Sequence, residues 1–167
     1  MPTDTLLLPH LDAAYNLARW LMGNDADAPD VVQDACLRAI GAAEDFRGGD
    51  PRAWLLTIVR NRCFSTFRSR RHVQTMEFDE TAHGAAPVAS SPERAVLGTE
   101  LSEQVQAALL GLAPEFREAI VLREFEGLSY KQIADVTGAP IGTVMSRLSR
   151  ARRQLQVILA EHRRRTA

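Results

Sequence analysis

The stretch GAPIGTVMSRLSRARRQL, Gly138 to Leu155, decides how the chain is read. Val144, Leu148, Ala151 and Leu155 recur at steps of four, three and four, which puts them in one stripe of a helix and predicts that they are buried. The opposite face then carries Thr143, Ser146, Arg147, Arg150 and Arg153. Small residues at the start of such a face allow close approach to a major groove, and the arginines behind them suit base edges and phosphates. Just upstream, Ser129 and Gln132 have the spacing of a capping box, which predicts a short helix through Thr137. Gly138 then supplies a turn. Short helix, glycine turn and basic helix together make a helix-turn-helix, a stronger reading than a solvated basic helix standing alone.

Working outward, helical spacing recurs along most of the chain and no segment shows convincing strand alternation. The expected fold is all-α: two small helical domains joined by a flexible linker, the C-terminal one a helix-turn-helix. A first helix is expected over about 10–22, with Leu11, Tyr15, Ala18 and Leu21 or Met22 inward and Gly23 as its stop. Asp27 is expected to cap a second helix to about Ala42, buried through Val32, Ala35, Cys36, Ala39 and Ile40. After the loop EDFRGGD, Asp50 and Pro51 open a third helix that continues to about Arg71 and buries Leu55, Ile58, Val59 and Cys63. The domains are placed at 1–75 and 100–167. Between them, residues 76–99 are rich in Ala, Ser, Pro and Gly and are acidic, as expected of a linker. The second domain starts with a helix carrying Leu101, Val105, Ala108 and Leu109. Another runs from Pro114 to Gly127 with Phe116, Ile120 and Phe125.

Charge distribution is more informative than its sum. The net charge is −1, yet residues 60–71 hold five Arg and no acid, and residues 147–165 hold seven Arg and one acid. Two basic clusters suggest two contacts with a polyanion. Cys36 and Cys63 lie in apolar helical patterns without metal-ligand spacing, so reduced core thiols are expected, with no metal and no cofactor. The absence of a long apolar run excludes a membrane span, and the N-terminus lacks a signal-peptide pattern, so a soluble cytoplasmic protein is expected. An enzyme is the least favoured class. Asp30 and Asp34 form a carboxylate pair, but no His or third carboxylate is placed to complete a site.

GLSYKQIADVTGAPIGTVMSRLSRARRQL resembles the fourth conserved region of bacterial RNA polymerase sigma factors, above all the extracytoplasmic-function group. The run from Gly142 to Arg152 is the selective part. APDVVQDACLRAI is similar to the part of the second conserved region that docks on the polymerase. FRGGDPRAWLLTIVRNR resembles the neighbouring segment that captures and opens the minus-ten promoter element. The resemblance implies a subunit, not an enzyme, that directs promoter-specific initiation, in a stress or envelope-response regulon under anti-sigma control. It implies as partners core RNA polymerase (its beta-prime clamp helices and beta flap), promoter DNA as duplex and single strand, and an anti-sigma factor.

By the same resemblance, Asp30, Gln33, Asp34 and Arg38 form the polymerase-binding face; they are also neighbours at helical spacing opposite the apolar stripe. Phe46, Arg47, Trp54, Arg60, Asn61 and Arg68 are the candidates for the minus-ten strand. There a loop able to pocket a flipped base is followed by arginines for the backbone. Thr143, Met145, Ser146, Arg147, Ser149, Arg150 and Arg153 are the candidates for the minus-thirty-five duplex. Two departures stand out. Trp54 is followed by Leu55 instead of a second tryptophan, and Trp54 fits a core position as well as a strand contact. Met145 stands where many relatives carry arginine; it cannot donate to a guanine edge, which leaves a thymine methyl, a sugar or no contact. The competing readings are an ordinary helix-turn-helix regulator, such as the effector half of a response regulator, which predicts an N-terminal receiver of alternating strands and helices that this sequence lacks, and a sigma-like decoy, which would lose the arginines kept at 60, 62, 147, 150 and 152.

Overall fold

The apolar stripes expected from the sequence need partners, and the helices supply them to one another. The computed structural model describes residues 2–78 and 102–166, with side chains for 2–73 and 102–166. Every regular element among them is helical, so the all-α expectation holds. The first half comprises α1 (Thr3–Leu7), α2 (Leu11–Met22), α3 (Ala28–Gly41) and α4 (Pro51–Phe78). The second comprises α5 (Glu103–Leu110), α6 (Pro114–Ile120), α7 (Tyr130–Thr137) and α8 (Ile141–Thr166). The part of the expected linker over 79–99 lies outside the described residues.

In the first half, α2, α3 and α4 pack on one another. Ala14, Leu17, Ala18 and Leu21 of α2 meet Val32, Ala35 and Ala39 of α3 and Leu55, Leu56, Val59 and Cys63 of α4, all fully buried. The alanines let the backbones approach, and the leucines fill the gaps that remain. In the second half, Ile133 and Val136 of α7 close on Val144, Leu148 and Ala151 of α8, the stripe expected there. The capping box forms: Ser129 Oγ accepts from the Gln132 amide at 3.1 Å, and Gln132 Oε1 accepts from the Ser129 amide at 2.8 Å. Gly138 ends α7 in the left-handed region at φ +73°, and its amide donates to Ala134 at 2.9 Å. Tight turn and buried stripe together fix how α8 presents its outer face.

Several expectations need correction. Thr3–Leu7 is helical, because burying Leu6 and Leu7 gives this short segment a reason to coil. Asp27 sits at the start of α3 without capping it; its carboxylate is taken by Asn24 at 3.0 Å and Arg70 at 3.0 Å. Ile40 is exposed, at 54%, because the stripe through Val32, Ala35 and Ala39 turns it towards solvent. Leu11, Tyr15, Cys36, Ile58 and Leu155 are only half-buried. The third expected helix runs past Arg71 to Phe78, a stretch with neither glycine nor proline to stop it. The helix from Pro114 is not uniform: after Ile120 it widens into a π-helical turn, Val121–Phe125, marked by the Glu126 amide donating to Val121.

A Cβ added at Gly138 would meet no atom within 4 Å, so replacement there costs backbone strain alone. Gly138→Ala is expected to lower unfolding stability by about 1–2 kcal/mol. Gly138→Asn should lose less, because asparagine tolerates the left-handed region. Urea melts followed by circular dichroism check both, and equal losses for the two variants would contradict a purely conformational cost.

Candidate nucleic-acid interface

The surface expected to face duplex DNA is built by α8. Met145, Ser146, Ser149, Arg150 and Arg153 are exposed along the side opposite Val144, Leu148 and Ala151. Thr143 and Arg147 lie at the margin and are half-buried. Arg152 is exposed and paired with Glu124 at 3.1 Å, an ion pair that contributes little in high dielectric. Ile141 and Met145 are 46% and 52% exposed, so the start of the helix offers apolar contact beside the Ser146 hydroxyl.

The expected docking residues lie on α3, where Asp30, Gln33 and Arg38 are exposed and Asp34 is half-buried. Asp34 accepts from Arg38 at 3.1 Å and pairs with Arg62 of α4, while Asp27 pairs with Arg70 of α4. Burial pushes the Asp34 carboxyl up, but the hydrogen bonds and charges of Arg38 and Arg62 outweigh it and hold the group below its ordinary value. Asp27 behaves alike, with Asn24 and Arg70 opposing burial. These pairs ring a cavity of about 190 Å³ between α3 and α4. Leu37 and Ile40, both more than half exposed, add an apolar element to this face that the sequence reading missed. Read by spacing, Ile40 passes as a member of the buried stripe; only the packing shows it turned out.

The loop expected to hold a flipped base runs from Phe46 to Pro51. Gly48 and Gly49 both have positive φ, +93° and +94°, with open space where a Cβ would stand. Phe46 packs on Trp54 with ring centroids 5.1 Å apart, so Trp54 is half-buried and braces the loop, and Arg47 is exposed. The far end of the loop is tied to the second half. Asp50 accepts from the Arg52 amide at 3.0 Å and from Gln132 Nε2 of α7 at 3.0 Å, and Arg52 donates to the Glu126 carbonyl at 3.0 Å.

Further along α4, Asn61 and Arg68 are exposed, but Arg60 is not. Its guanidinium lies 4.0 Å from the Phe64 ring centroid and forks onto Glu118 of α6, through Nε at 2.9 Å and Nη2 at 3.2 Å. The Glu118 side chain has no exposure at all. Burial raises its carboxyl above the usual glutamate range, against the pull of Arg60 and of the Arg147 charge. The neighbouring residue, Arg117, is also buried. It donates to the carbonyls of Trp20 and Leu21 at 2.7 and 3.1 Å, and to those of Leu110 and Leu112 at 3.3 and 2.9 Å. Burial lowers its pKa to about 10, which leaves it charged near neutrality. Spacing within α6 does not reveal either role, because Glu118 meets Arg60 58 residues away, and Arg117 reaches Trp20 and Leu21 97 and 96 residues away, all in the first half. Among the described residues no cluster of His, Cys, Asp and Glu is arranged to hold a metal, and no helix is long and apolar enough to cross a membrane.

Comparisons with known proteins match this layout. The model of Sigma-70 region 2 matches residues 6–73, and that of Sigma-70, region 4, matches residues 102–155. The chain is 36% identical to the ECF RNA polymerase sigma factor SigE of Mycolicibacterium smegmatis, over all of this chain and 65% of that protein, so it spans just under two thirds of that relative. It is also 36% identical to the RNA polymerase sigma-H factor of Pseudomonas aeruginosa, covering 95% of this chain and 88% of that one. A solved structure, the sigma factor RpoE in complex with the anti-sigma factor NepR from Bartonella quintana, superposes with a TM-score of 0.77 at 35% identity. That likeness covers 94% of this chain and 96% of the other.

The thiol on the inner side of α4 offers a check on this packing. Cys63 is fully buried, and its pKa is pushed up to about 12, by burial first and then by the Glu118 charge. Cys36 is half-buried, and burial raises it too. Iodoacetamide at pH 8 is therefore expected to modify Cys36 first and to reach Cys63 only on unfolding. Mass spectrometry of a time course reads the order, and equal rates at both sites would contradict the packing described.

Proposed function

The chain belongs to the extracytoplasmic-function family of bacterial RNA polymerase sigma factors, and from that premise we propose how its two surfaces divide the work of promoter-specific initiation. It is a non-catalytic subunit. Core polymerase docks on α3 through Asp30, Gln33, Asp34 and Arg38, with Leu37 and Ile40 supplying apolar contact. The exposed face of α8 reads the minus-thirty-five element as duplex, with Ser146 and Arg150 reaching base edges and Arg153 nearby for phosphate. Met145 contacts a thymine methyl or a sugar. The loop 46–51 and α4, through Arg47, Asn61 and Arg68, take the opened minus-ten strand. The residues between the two described parts serve as the tether, and the work is done in the cytoplasm, where polymerase and chromosome are.

The observation that carries this reading is the ordered match to both regions, together with a recognition helix whose arginines and serines face outward. Retention of exposed Arg150, Arg152 and Arg153 disfavours a decoy that binds no DNA. The regulon is assigned to stress or envelope responses under anti-sigma control. The likeness to a sigma factor held by its anti-sigma partner supports that part.

In-vitro transcription with purified core polymerase and a genomic DNA library tests the whole reading; the expected result is a set of transcripts sharing both promoter elements, and none with any core enzyme would overturn it. Within that assay Arg150→Ala is expected to cost about 1–3 kcal/mol on the preferred minus-thirty-five sequence and much less on scrambled duplex. Loss on all duplexes alike would reassign Arg150 to phosphate. Asp34→Arg is expected to weaken competition for core polymerase about tenfold or more, while circular dichroism keeps the wild-type helix content. Unchanged core affinity would remove Asp34 from the docking face.

A further inference from the structure

The two promoter elements are named for positions about 25 base pairs apart, which is roughly 85 Å of duplex. In the structure the two reading heads touch. α4 packs directly on α7, and Trp20 of α2 stacks on Phe125 with centroids 5.5 Å apart. Asn16 donates to Glu126 at 2.9 Å, and Arg60 of α4 is locked to Glu118 of α6. Such a closed chain cannot straddle a promoter, so its contacts must part before both heads engage.

One of these contacts has the chemistry of a binding site already filled. The Arg60 guanidinium is stacked on the Phe64 ring, with Phe67 edge-on at 5.6 Å beyond it, and Asn61 Oδ1 accepts from Arg60 Nη1 at 3.4 Å. A guanidinium laid on an aromatic face, with its fork pointing outward, accepts a phosphate as readily as a carboxylate. Aromatic rings beside a basic groove are also the means by which single-stranded bases are held without sequence preference. Here the fork holds the carboxylate of Glu118, which is wholly buried and lies within the field of Arg147.

We propose that Glu118 is an intramolecular stand-in for a nucleic-acid phosphate at an Arg60–Phe64 site, so that closure of the two halves and binding of single-stranded DNA at that site exclude one another. The inference rests on the reading of α4 as the strand-binding helix. Phe64, which neither spacing nor resemblance singles out, becomes the platform against which a base or sugar lies when the strand replaces Glu118. A single strand thereby both occupies the site and releases the latch.

The test uses the full chain and a fluorescent oligothymidylate, with anisotropy for binding and small-angle X-ray scattering for the radius of gyration. Glu118→Gln is expected to bind the strand about tenfold tighter than wild type and to be more expanded. Arg60→Gln should expand likewise but gain no affinity, and the swap R60E/E118R should be as compact as wild type with strand binding lost. Wild type saturated with the strand should expand. A strand that binds wild type without changing its dimensions would overturn the proposal, as would Glu118→Gln binding no tighter than wild type. If circular dichroism shows that Glu118→Gln has lost its helices, Arg60→Gln and the strand-saturated wild type decide. None of these readouts uses polymerase. Failure to initiate transcription thus strikes the assigned function alone, whereas a Glu118→Gln chain that neither expands nor binds the strand more tightly strikes the latch alone.

Discussion

A single guanidinium joins the carboxyl ends of two helices from opposite halves of the chain. Arg117 donates to the last-turn carbonyls of α2 and to carbonyls at the end of α5, so one side chain satisfies orphan acceptors at two helix ends and meets the negative end of each dipole. This sets the position of α6 against α2, and Glu118, its neighbour in sequence, then falls onto α4. Removing one member of a buried charge pair typically costs about 3–5 kcal/mol, whereas replacing both by apolar groups is often neutral. The pair of charges therefore selects one arrangement of the halves more than it adds net stability. Apolar contact supplies the attraction, with Trp20 only 1% exposed beneath Phe125.

The π-helical turn after Ile120 belongs to the same constraint. An ordinary α-helix would advance each residue by about 100° and carry Phe125 and Glu126 off the face begun by Arg117. One wider turn brings them back. Phe125 then covers Trp20, while Glu126 receives Asn16 through its side chain and Arg52 through its carbonyl. The loop 46–51 is in turn held at Asp50 by Gln132, one residue of the same capping box that starts α7. Local devices in the second half thus set the placement of a loop in the first.

The sequence foretold what is local and missed what is not. The stripe Val144, Leu148 and Ala151, the capping box at Ser129 and Gln132, and the turn at Gly138 each depend on residues within a few positions of one another, and each was legible. Ile40 was misplaced because periodicity gives a face but not its edge, and the packing of α3 on α4 ends at Ala39. The resemblance of FRGGDPRAWLLTIVRNR makes Arg60 a strand contact, and the basic run over 60–71 agrees with it. Nothing nearby in sequence could show that a glutamate 58 positions on would enclose it. Asp34 reads as a simple surface acid; its tie to Arg62 depends on how α3 lies across α4. The assignment of the two surfaces to docking and reading came from the resemblance, since the spacing of Asp30, Gln33, Asp34 and Arg38 alone describes an ordinary solvated helix.

The two sets of ion pairs differ in what it takes to rearrange them. Asp34 with Arg38, and Asp27 with Arg70, are partly solvated, so water can replace either partner and each contributes at most about 1 kcal/mol. Such contacts can be exchanged at small cost, which suits the docking role proposed for α3. Arg60 and Glu118 have no such freedom while the halves are together, because the side chains are 18% and 0% exposed and water cannot reach the carboxylate. Their separation is eased only when the whole interface opens to solvent or when another anion takes the place of Glu118. The difference in burial separates the two sets: the solvated pairs on α3 can yield to water, whereas the enclosed pair yields, under the latch proposed above, to a ligand that carries negative charge of its own.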